Sequence, residues 1–166
     1  FLELIKARRP RIVLLENVTG LLNSHGGKDF SKIVSSLTEL GYGVAWRVMN
    51  ARYFGAPQSR PRVFICAWQN RVDLALHALY EKTSGAKVTN ERKGFLTPTK
   101  CLATGATVPS ISYCLAATSG RHTGTDWSRN YVCYPKYGKV RRLIPSECEG
   151  VMAFPKGWTI PAQTTL

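Results

Sequence analysis

Three short polar blocks carry the side chains of this sequence that are best suited to chemistry. The first is Glu16-Asn17-Val18, which directly follows the apolar run 12–15. The other two are the segment 58–62, which holds a glutamine and two arginines, and the segment 141–147, which holds two arginines and a glutamate. Ligands of open α/β sheets bind beyond the carboxyl ends of the strands, so a carboxylate directly after a buried strand is in a functional position. Glu16 is therefore the first candidate, and the alternative is a salt bridge to Arg11 or a nearby lysine.

The segments around these blocks show the patterns of helices and strands. Residues 2–9 predict the last turns of an amphipathic helix that Pro10 closes, and apolar residues at three- and four-residue steps predict a second helix that ends at Gly41. The uninterrupted apolar run 12–15 predicts a strand buried on both faces by helices, as in a parallel α/β sheet. Residues 44–49 and 63–68 predict two more strands, joined by a connection too long for a tight hairpin. From 71 to 139 the pattern loosens, so we expect a small irregular insert of loops and short strands.

The charge of the chain favours a polyanionic partner such as nucleic acid. The sequence holds 23 Lys and Arg against 10 Asp and Glu, with a net charge of +13. Residues 41–142 alone carry 16 basic and 4 acidic side chains. Concentrated positive charge suits phosphate binding, although a solvated basic surface is the simpler alternative. The composition, with 44% hydrophobic residues, is that of a folded protein. The sequence has no apolar run near the roughly 20 residues of a membrane span and shows no secretory leader. We therefore expect a soluble, intracellular protein of the cytoplasm or nucleoid.

The cysteines and histidines do not form a recognisable site in the sequence. The five cysteines are odd in number and widely spaced, without a Cys-x-x-Cys pair, so we expect neither a metal site nor a disulfide framework. Cys66 lies in an apolar run, where a free thiol behaves as a small core residue. The histidines are far apart and are expected at surfaces or turns.

Taken in order, the three blocks resemble the later motifs of the DNA (cytosine-5)-methyltransferase family. The pattern of that family is Glu-Asn-Val, then Gln-x-Arg-x-Arg, then Arg-x-Leu-Thr-Pro-x-Glu with a terminal Gly-Phe-Pro. Its target recognition domain lies between the second and third blocks, where this chain has its basic variable segment. The resemblance implies an α/β fold in which residues 1–70 form the second half of a Rossmann-like, S-adenosylmethionine-dependent methyltransferase domain. Residues 71–139 would be a small irregular target recognition domain, and residues 140–166 would link that domain back to the core.

The resemblance also implies an activity and a role for each site residue. The enzyme would transfer a methyl group from S-adenosylmethionine to C5 of a cytosine flipped out of double-stranded DNA. Glu16 would hold N3 and the exocyclic amine of that base, and Arg62 would donate to its carbonyl oxygen and to nearby phosphates. Gln58 and Arg60 would order the loop and the backbone of the flipped nucleotide, although both arginines could instead be ordinary surface residues. Asn17 would be a structural brace rather than a catalytic group. In the third block, we expect an internal pair between Arg142 and Glu147.

Several features of the family pattern are altered or missing. Ile144, Gly150 and Ala153 stand where the family usually has Thr, Arg and Gly. The sequence contains neither the nucleophilic Pro-Cys pair nor the glycine-rich loop that binds S-adenosylmethionine, and Phe1 is not a methionine. We therefore expect a piece of a longer enzyme that is inactive alone, with a complementary polypeptide supplying both motifs and most of the cofactor contacts. The alternatives are a non-catalytic DNA-binding subunit or inactive relative, and a basic RNA-binding domain, which explains the charge but not the ordered motifs.

Overall fold

The computed structural model describes residues 1–80, 98–100, 107–109, 111–116, 130–134 and 139–159. The helices of this part are α1 (Leu2–Arg8), α2 (Lys28–Glu39), α3 (Val72–Leu79) and α4 (Pro145–Val151), with 3-10 segments at Thr19–Gly27 and Ala51–Phe54. The strands are β1 (Ile12–Val18), β2 (Tyr42–Asn50), β3 (Gln58–Ser59), β4 (Pro61–Gln69), β5 (Pro98–Lys100), β6 (Thr107–Pro109), β7 (Ser112–Tyr113), β8 (Tyr131–Tyr134) and β9 (Lys139–Arg142). Backbone proximity divides the chain into two units, one made of Phe1–Asn50 and Pro61–Lys87, the other of Ala51–Arg60 and Val88–Leu166.

The first unit is built on a sheet in which β4 lies between β1 and β2. Both outer strands run antiparallel to β4, so the prediction of a parallel sheet is wrong for these strands. The prediction that the run 12–15 is buried on both faces is also wrong, because Ile12 and Leu14 are 46% and 64% exposed. An uninterrupted apolar run signals a strand but carries no information about its direction or its neighbours.

Helices cover the two faces of this sheet unequally. On one face, α1 and α2 contribute to a core formed by Ile5, Val13, Leu37, Tyr42 and Ala67. On the other face, α3 packs on β2 and β4 through Ala45, Cys66, Ala75 and Leu79. The register places Leu14 beside Cys66 on the α3 face, but α3 lies over β2 and β4. Alternate residues of β1 on this face therefore remain exposed, whereas the central strand β4 is buried from Val63 to Ala67 apart from Phe64.

The helices and strands predicted in the first unit are present, with small shifts at their ends. The first helix ends at Arg8, two residues before Pro10, and the second is followed by Gly41 in the left-handed region at φ +83°. Helix α3 was not predicted, because it lies at the start of the segment expected to be irregular. Gly43 permits α3 to approach β2, since a Cβ at this position would lie 2.3 Å from the backbone nitrogen of Val72.

In its described residues, the second unit contains short strand pairs and the helix α4. Strands β3 and β7 pair in parallel, while β5 with β6 and β8 with β9 pair antiparallel. These strands have two to four residues. Residues 81–97, 101–106, 110, 117–129, 135–138 and 160–166, which include most of the predicted recognition segment, lie outside the described residues. Within the described part, no helix has the length and apolar character of a bilayer span.

Candidate nucleic-acid and cytosine site

Two of the predicted site residues, Glu16 and Arg62, contact each other. They extend from the adjacent strands β1 and β4, where Val18 is the direct neighbour of Arg62 and Glu16 lies two residues before Val18. Arg62 Nε lies 2.9 Å from Glu16 Oε1, and Arg62 Nη1 donates to the carbonyl oxygen of Pro61 at 2.8 Å. The Arg62 side chain is 16% exposed and that of Glu16 is 49% exposed. The arrangement therefore combines a guanidinium held from two directions with a carboxylate that solvent can reach.

The ion pair differs from the specific pairing that the simpler alternative gave Glu16. The simpler hypothesis paired Glu16 with Arg11 or a nearby lysine, and the structure pairs it with Arg62 instead. Neighbouring Asn17 accepts a hydrogen bond from the backbone N–H of Val18 through Oδ1 at 2.8 Å. That contact lies at the end of β1, where the side chain braces the last residue of the strand.

Gln58 is almost completely buried in the second unit. Its side chain is 2% exposed, and Oε1 has no hydrogen-bond partner within the described part of the chain. Its strand, β3, pairs with β7 through the register Gln58 to Ser112 and Ser59 to Tyr113. Such burial fits a residue that orders the loop from within rather than one that reaches outward to a ligand.

Arg60 follows β3 and is held by the second unit at both its backbone and its side chain. Its carbonyl oxygen accepts from the backbone N–H of Ala51 at 3.2 Å. Its Nη1 donates to the sulfur of Cys114 at 2.9 Å, and both side chains are partly buried. Arg60 is thus not the freely exposed surface residue of the simpler hypothesis, and sequence reasoning did not identify Cys114 as its partner.

The third block forms an ion pair, although not the predicted one. Arg141 binds Glu147 with two hydrogen bonds, Nη1 to Oε2 at 2.8 Å and Nη2 to Oε1 at 2.7 Å. The prediction that Arg142 pairs with Glu147 is therefore wrong. Glu147 Oε2 also accepts the backbone N–H of Ile144 at 2.9 Å, which satisfies one donor at the start of α4. These bonds, the side-chain bond to Arg141 first, hold the pKa of Glu147 below its usual value.

Glu149 is a structurally important carboxylate that the sequence analysis missed. It is 4% exposed and accepts from the backbone N–H groups of Gly157 and Thr159, each at 2.6 Å, and from the Thr159 hydroxyl. These bonds, the side-chain bond from Thr159 first, lower the pKa of Glu149. Glu149 thereby ties the turn after α4 to the helix. Its sequence neighbours, Cys148 and Gly150, gave no signal of this role.

The remaining titratable groups do not form a site in the described residues. No group of three or more potential metal ligands occurs there. Cys66 is 2% exposed, as predicted for a core residue, and its burial raises the pKa of the thiol. His25 was predicted to lie at a surface or in a turn, and it lies in a turn with left-handed backbone. Its hydrogen bond to Asp29 raises the pKa of the imidazole. Asp29 also accepts from Ser24, so this cluster fixes the turn that leads into α2.

Comparison with known proteins identifies the family. The model of the family described as C-5 cytosine-specific DNA methylase matches residues 1–101, which is more than half of the chain. The chain belongs to this family. The match includes Glu16, Gln58, Arg60 and Arg62, and it extends through the whole of α3.

Individual methylases show how much of such a protein this chain represents. The type II methyltransferase M.MthTI from Methanothermobacter thermautotrophicus is 27% identical over 195 residues, covering 93% of this chain and 58% of that protein. M.Sau3AI from Staphylococcus aureus is 49% identical over 63 residues, covering 36% of this chain and 15% of its own length. The crystal structure of the S. pombe Dnmt2 methyltransferase aligns with a TM-score of 0.34 and 27% identity, over 37% of this chain and 18% of that one. The chain therefore covers less than two thirds of these methylases.

Ile144, Gly150 and Ala153, which the sequence analysis singled out, lie at or just beyond the ends of α4. Ile144 is the N-cap residue and has no side-chain oxygen to accept the N–H of Glu147, as a threonine would. Gly150 lies in the last turn, where a Cβ would meet nothing within 4 Å. Ala153 has φ +62° and follows the C-cap Met152. Ile144 therefore supplies no capping oxygen, Gly150 lowers the helix propensity of the last turn, and Ala153 takes a conformation that glycine adopts more readily.

Proposed function

We propose that this chain supplies the cytosine pocket and the DNA-binding part of a DNA cytosine-5 methyltransferase. The contact between Glu16 and Arg62 carries the proposal. A carboxylate and a guanidinium extend side by side from neighbouring strands, inside the region that matches the methylase family. A cytosine presents an amine and a ring nitrogen beside a carbonyl oxygen, so its Watson–Crick edge complements such a pair.

The proposed chemistry begins with a cytosine flipped into the pocket. The Glu16 carboxyl group accepts from the exocyclic amine and shares a proton with N3, while Arg62 donates to the carbonyl oxygen. Proton donation at N3 draws electrons from C6, which favours addition of a cysteine thiolate there. C5 then takes up the methyl group, after which loss of the C5 proton and of the thiolate restores the aromatic ring.

Pre-organisation is the main contribution of Arg62 in this proposal. Glu16 and the Pro61 carbonyl hold its guanidinium before any base arrives, and its low exposure limits alternative rotamers. Donors that are already oriented need no rearrangement when charge develops on the base. Gln58, which is 2% exposed, is proposed to order the loop from within, and through that loop Arg60 is proposed to order the backbone of the flipped nucleotide.

The nucleophile and the cofactor loop are proposed to come from a complementary polypeptide. S-adenosylmethionine would supply the methyl group as an electrophile. The described residues do not fit the glycine-rich loop that binds it, because β1 passes into α2 through the nine-residue 3-10 segment Thr19–Gly27 rather than through a tight glycine turn. We therefore assign no cofactor contact to this chain.

Strand β1 offers a surface for that polypeptide. It is an edge strand of the described sheet, and Ile12, Leu14 and Val18 are 46%, 64% and 52% exposed on the same face. Unpaired strand edges and apolar patches favour association with further structure. Leu14→Lys should therefore weaken assembly with a polypeptide that carries the Pro-Cys and glycine-rich motifs. Leu76→Lys, at a 46% exposed position on α3, is the matched control and should assemble normally.

Glu16→Gln tests the proposed pocket in the chain assembled with that polypeptide, which we call the assembled enzyme. Glutamine keeps the size of the side chain but cannot supply a proton to N3. Binding to duplex DNA should stay within a few-fold, while single-turnover methyl transfer falls by at least roughly 100-fold, as expected for one positioned acid or electrostatic donor. Glu39→Gln, an exposed change at the end of α2, is the control and should transfer methyl at the unsubstituted rate. Unchanged transfer by Glu16→Gln would remove Glu16 from the mechanism.

The 166-residue chain should bind DNA without modifying it. Alone, it should transfer no methyl group and form no covalent adduct with a duplex containing 5-fluorocytosine, and the assembled enzyme should do both. DNA binding without transfer, even after assembly, would favour the alternative of a non-catalytic DNA-binding subunit or inactive relative. Methyl transfer by the chain alone would mean that one of its own cysteines acts as the nucleophile, against the proposal.

We also propose that residues 71–139 provide DNA affinity and sequence choice. The concentration of basic residues between 41 and 142 supports this role. Exchange of residues 88–139, the part of this segment that belongs to the second unit and leaves α3 in place, for the corresponding part of a methylase with another target should change which cytosines are methylated and leave the reaction intact. Neutralising a phosphate-contacting lysine, with Lys136 and Lys139 as candidates, should weaken binding to all sequences alike and reduce the salt slope by about one. An unchanged target after the exchange would place sequence choice elsewhere.

A further inference from the structure

The contact between Arg60 and Cys114 joins two parts of the second unit that are far apart in sequence. Arg60 belongs to the Gln-x-Arg-x-Arg block, and Cys114 lies 54 residues later, directly after β7. Strands β3 and β7 run parallel with Ser59 beside Tyr113, so Arg60 and Cys114 are the next residues along the two strands. The sulfur therefore meets the guanidinium as a consequence of strand register.

The backbone around Cys114 is fixed on two sides. On the β3 side, the N–H of Ser112 donates to the carbonyl oxygen of Pro57 at 3.0 Å. Asn130, which is 7% exposed, clamps Tyr113 through both of its backbone groups. It accepts the Tyr113 N–H at 2.6 Å and donates to the Tyr113 carbonyl at 3.1 Å. The Cys114 side chain therefore extends from a backbone that is held in place.

A thiol is chemically suited to orient an arginine without cancelling its charge. The Cys114 sulfur accepts from Arg60 and its S–H makes a weak bond to the Leu115 carbonyl at 3.6 Å. A carboxylate in the same place would form an ion pair and remove the attraction of Arg60 for phosphate. A neutral, weak acceptor can orient the guanidinium without itself adding a negative charge beside it.

We propose that Cys114 is a positioning residue that holds the Arg60 guanidinium for the DNA backbone. This inference rests on the proposed role of Arg60 in DNA binding. It adds that the sulfur-to-guanidinium contact passes a change at position 114 on to DNA through Arg60.

The test measures binding of the full 166-residue chain to a cytosine-containing duplex by fluorescence anisotropy at several salt concentrations. Arg60→Gln should weaken binding about tenfold and reduce the salt slope by about one, as for the loss of one phosphate contact. Cys114→Ala removes the acceptor and should weaken binding about fivefold, the scale of one net hydrogen bond. Cys114→Ser keeps an acceptor and should bind within about twofold of the unsubstituted chain. Cys114→Asp should reduce the salt slope by about one, because it neutralises Arg60.

A double-mutant cycle separates positioning from simple loss of structure. In the Arg60→Gln background, Cys114→Ala should weaken binding no further, because its effect passes through Arg60. Cys148→Ala, at another partly buried free cysteine, is the control and should bind normally. Two outcomes would overturn the role of Cys114 but not that of Arg60. In the first, Cys114→Ala weakens DNA binding equally with and without Arg60→Gln. In the second, Cys114→Ala leaves DNA binding unchanged although Arg60→Gln clearly weakens it. No loss from Arg60→Gln would overturn the proposed DNA contact of Arg60, and the role of Cys114 with it.

Discussion

Replacing Ala153 with glycine should stabilise this protein, although glycine usually destabilises. Ala153 follows the C-cap of α4 with φ +62°, in the left-handed region. Its N–H donates to the Gly150 carbonyl at 3.0 Å, and the N–H of Phe154 donates to the Glu149 carbonyl at 2.9 Å. These two bonds are the pair that defines a Schellman motif, in which glycine is the preferred residue at this position. The backbone therefore already has the geometry that glycine favours.

The expected magnitude follows from two opposing terms. An L-residue in the left-handed region costs about 1–2 kcal/mol, which glycine would remove. Glycine also makes the unfolded chain more flexible, at a cost of about 0.4–1 kcal/mol. The methyl group of Ala153 is exposed, so its removal loses little packing. The net gain in the free energy of unfolding is about 0.5–1 kcal/mol, which corresponds to a rise in Tm of roughly 2–4 °C for a gain of 1 kcal/mol in a chain of this size.

Equilibrium urea unfolding, with the midpoint and slope fitted together, measures this gain. The control is Ala7→Gly, an exposed position inside α1, where glycine should instead lower the free energy of unfolding by about 0.5–1 kcal/mol. Gly150→Ala makes the reverse change three residues before Ala153, inside α4, and should also stabilise, by up to about 1 kcal/mol. Destabilisation by Ala153→Gly to the extent seen for Ala7→Gly would refute the assignment of strain to Ala153.

Three further predictions concern the ends of α4 and the packing of α3. Ile144→Thr should raise the free energy of unfolding by about 0.5–1 kcal/mol in urea titrations, because its hydroxyl can complete a capping box with Glu147, whereas Ile144→Val should not. Gly43→Ala should lower the free energy of unfolding by about 1–3 kcal/mol, because the new Cβ would overlap the start of α3. The control Gly20→Ala, whose Cβ would have its nearest neighbour at 3.9 Å, should leave the free energy of unfolding almost unchanged. Glu147→Gln should destabilise the protein at pH 7 but progressively less below about pH 4.5. The pKa of Glu147 is lowered in the folded state, so the stability that its carboxylate contributes is lost as the pH falls through that lower value. A deficit that stays constant down to pH 2 would contradict this last prediction.

The apolar runs 12–15 and 63–68 show which parts of the fold the sequence could predict. Both runs were correctly interpreted as strands, because apolar β-branched residues between turn signals favour strands. Burial on both faces was predicted for the first run but occurs in the second, in β4. Burial depends on which strand becomes central and which helices cover it, and a run of four residues carries no record of either. For the same reason, the antiparallel direction of β4 could not be predicted from its composition.

Pairings within the site were harder to predict than the residues themselves. Glu16 and Arg62 were selected separately, and their contact arises from the register of β1 against β4, which no local pattern encodes. In the third block, two adjacent arginines both lay within reach of Glu147 in sequence. Successive residues of a strand point to opposite faces, so only one of them can meet the start of the following helix, and that one is Arg141. Sequence alone gave no basis for choosing between the two.

The energetics of the Glu16 and Arg62 pair bear on how the catalytic test is interpreted. Glu16 is about half exposed, and ion pairs with an exposed partner contribute little, about 0–1 kcal/mol. A bound base could therefore take over the Glu16 carboxylate at small cost, while the Pro61 carbonyl continues to hold Arg62. The amide of Glu16→Gln still offers an oxygen to Arg62 Nε, so this substitution should change the free energy of unfolding by less than about 1 kcal/mol. Because so small a change leaves nearly all molecules folded, a 100-fold loss of methyl transfer would report on the proton at N3 and not on unfolding. If Glu16→Gln instead lowered stability by several kcal/mol, the pair would be structural, and the loss of transfer would no longer support a pocket at Glu16.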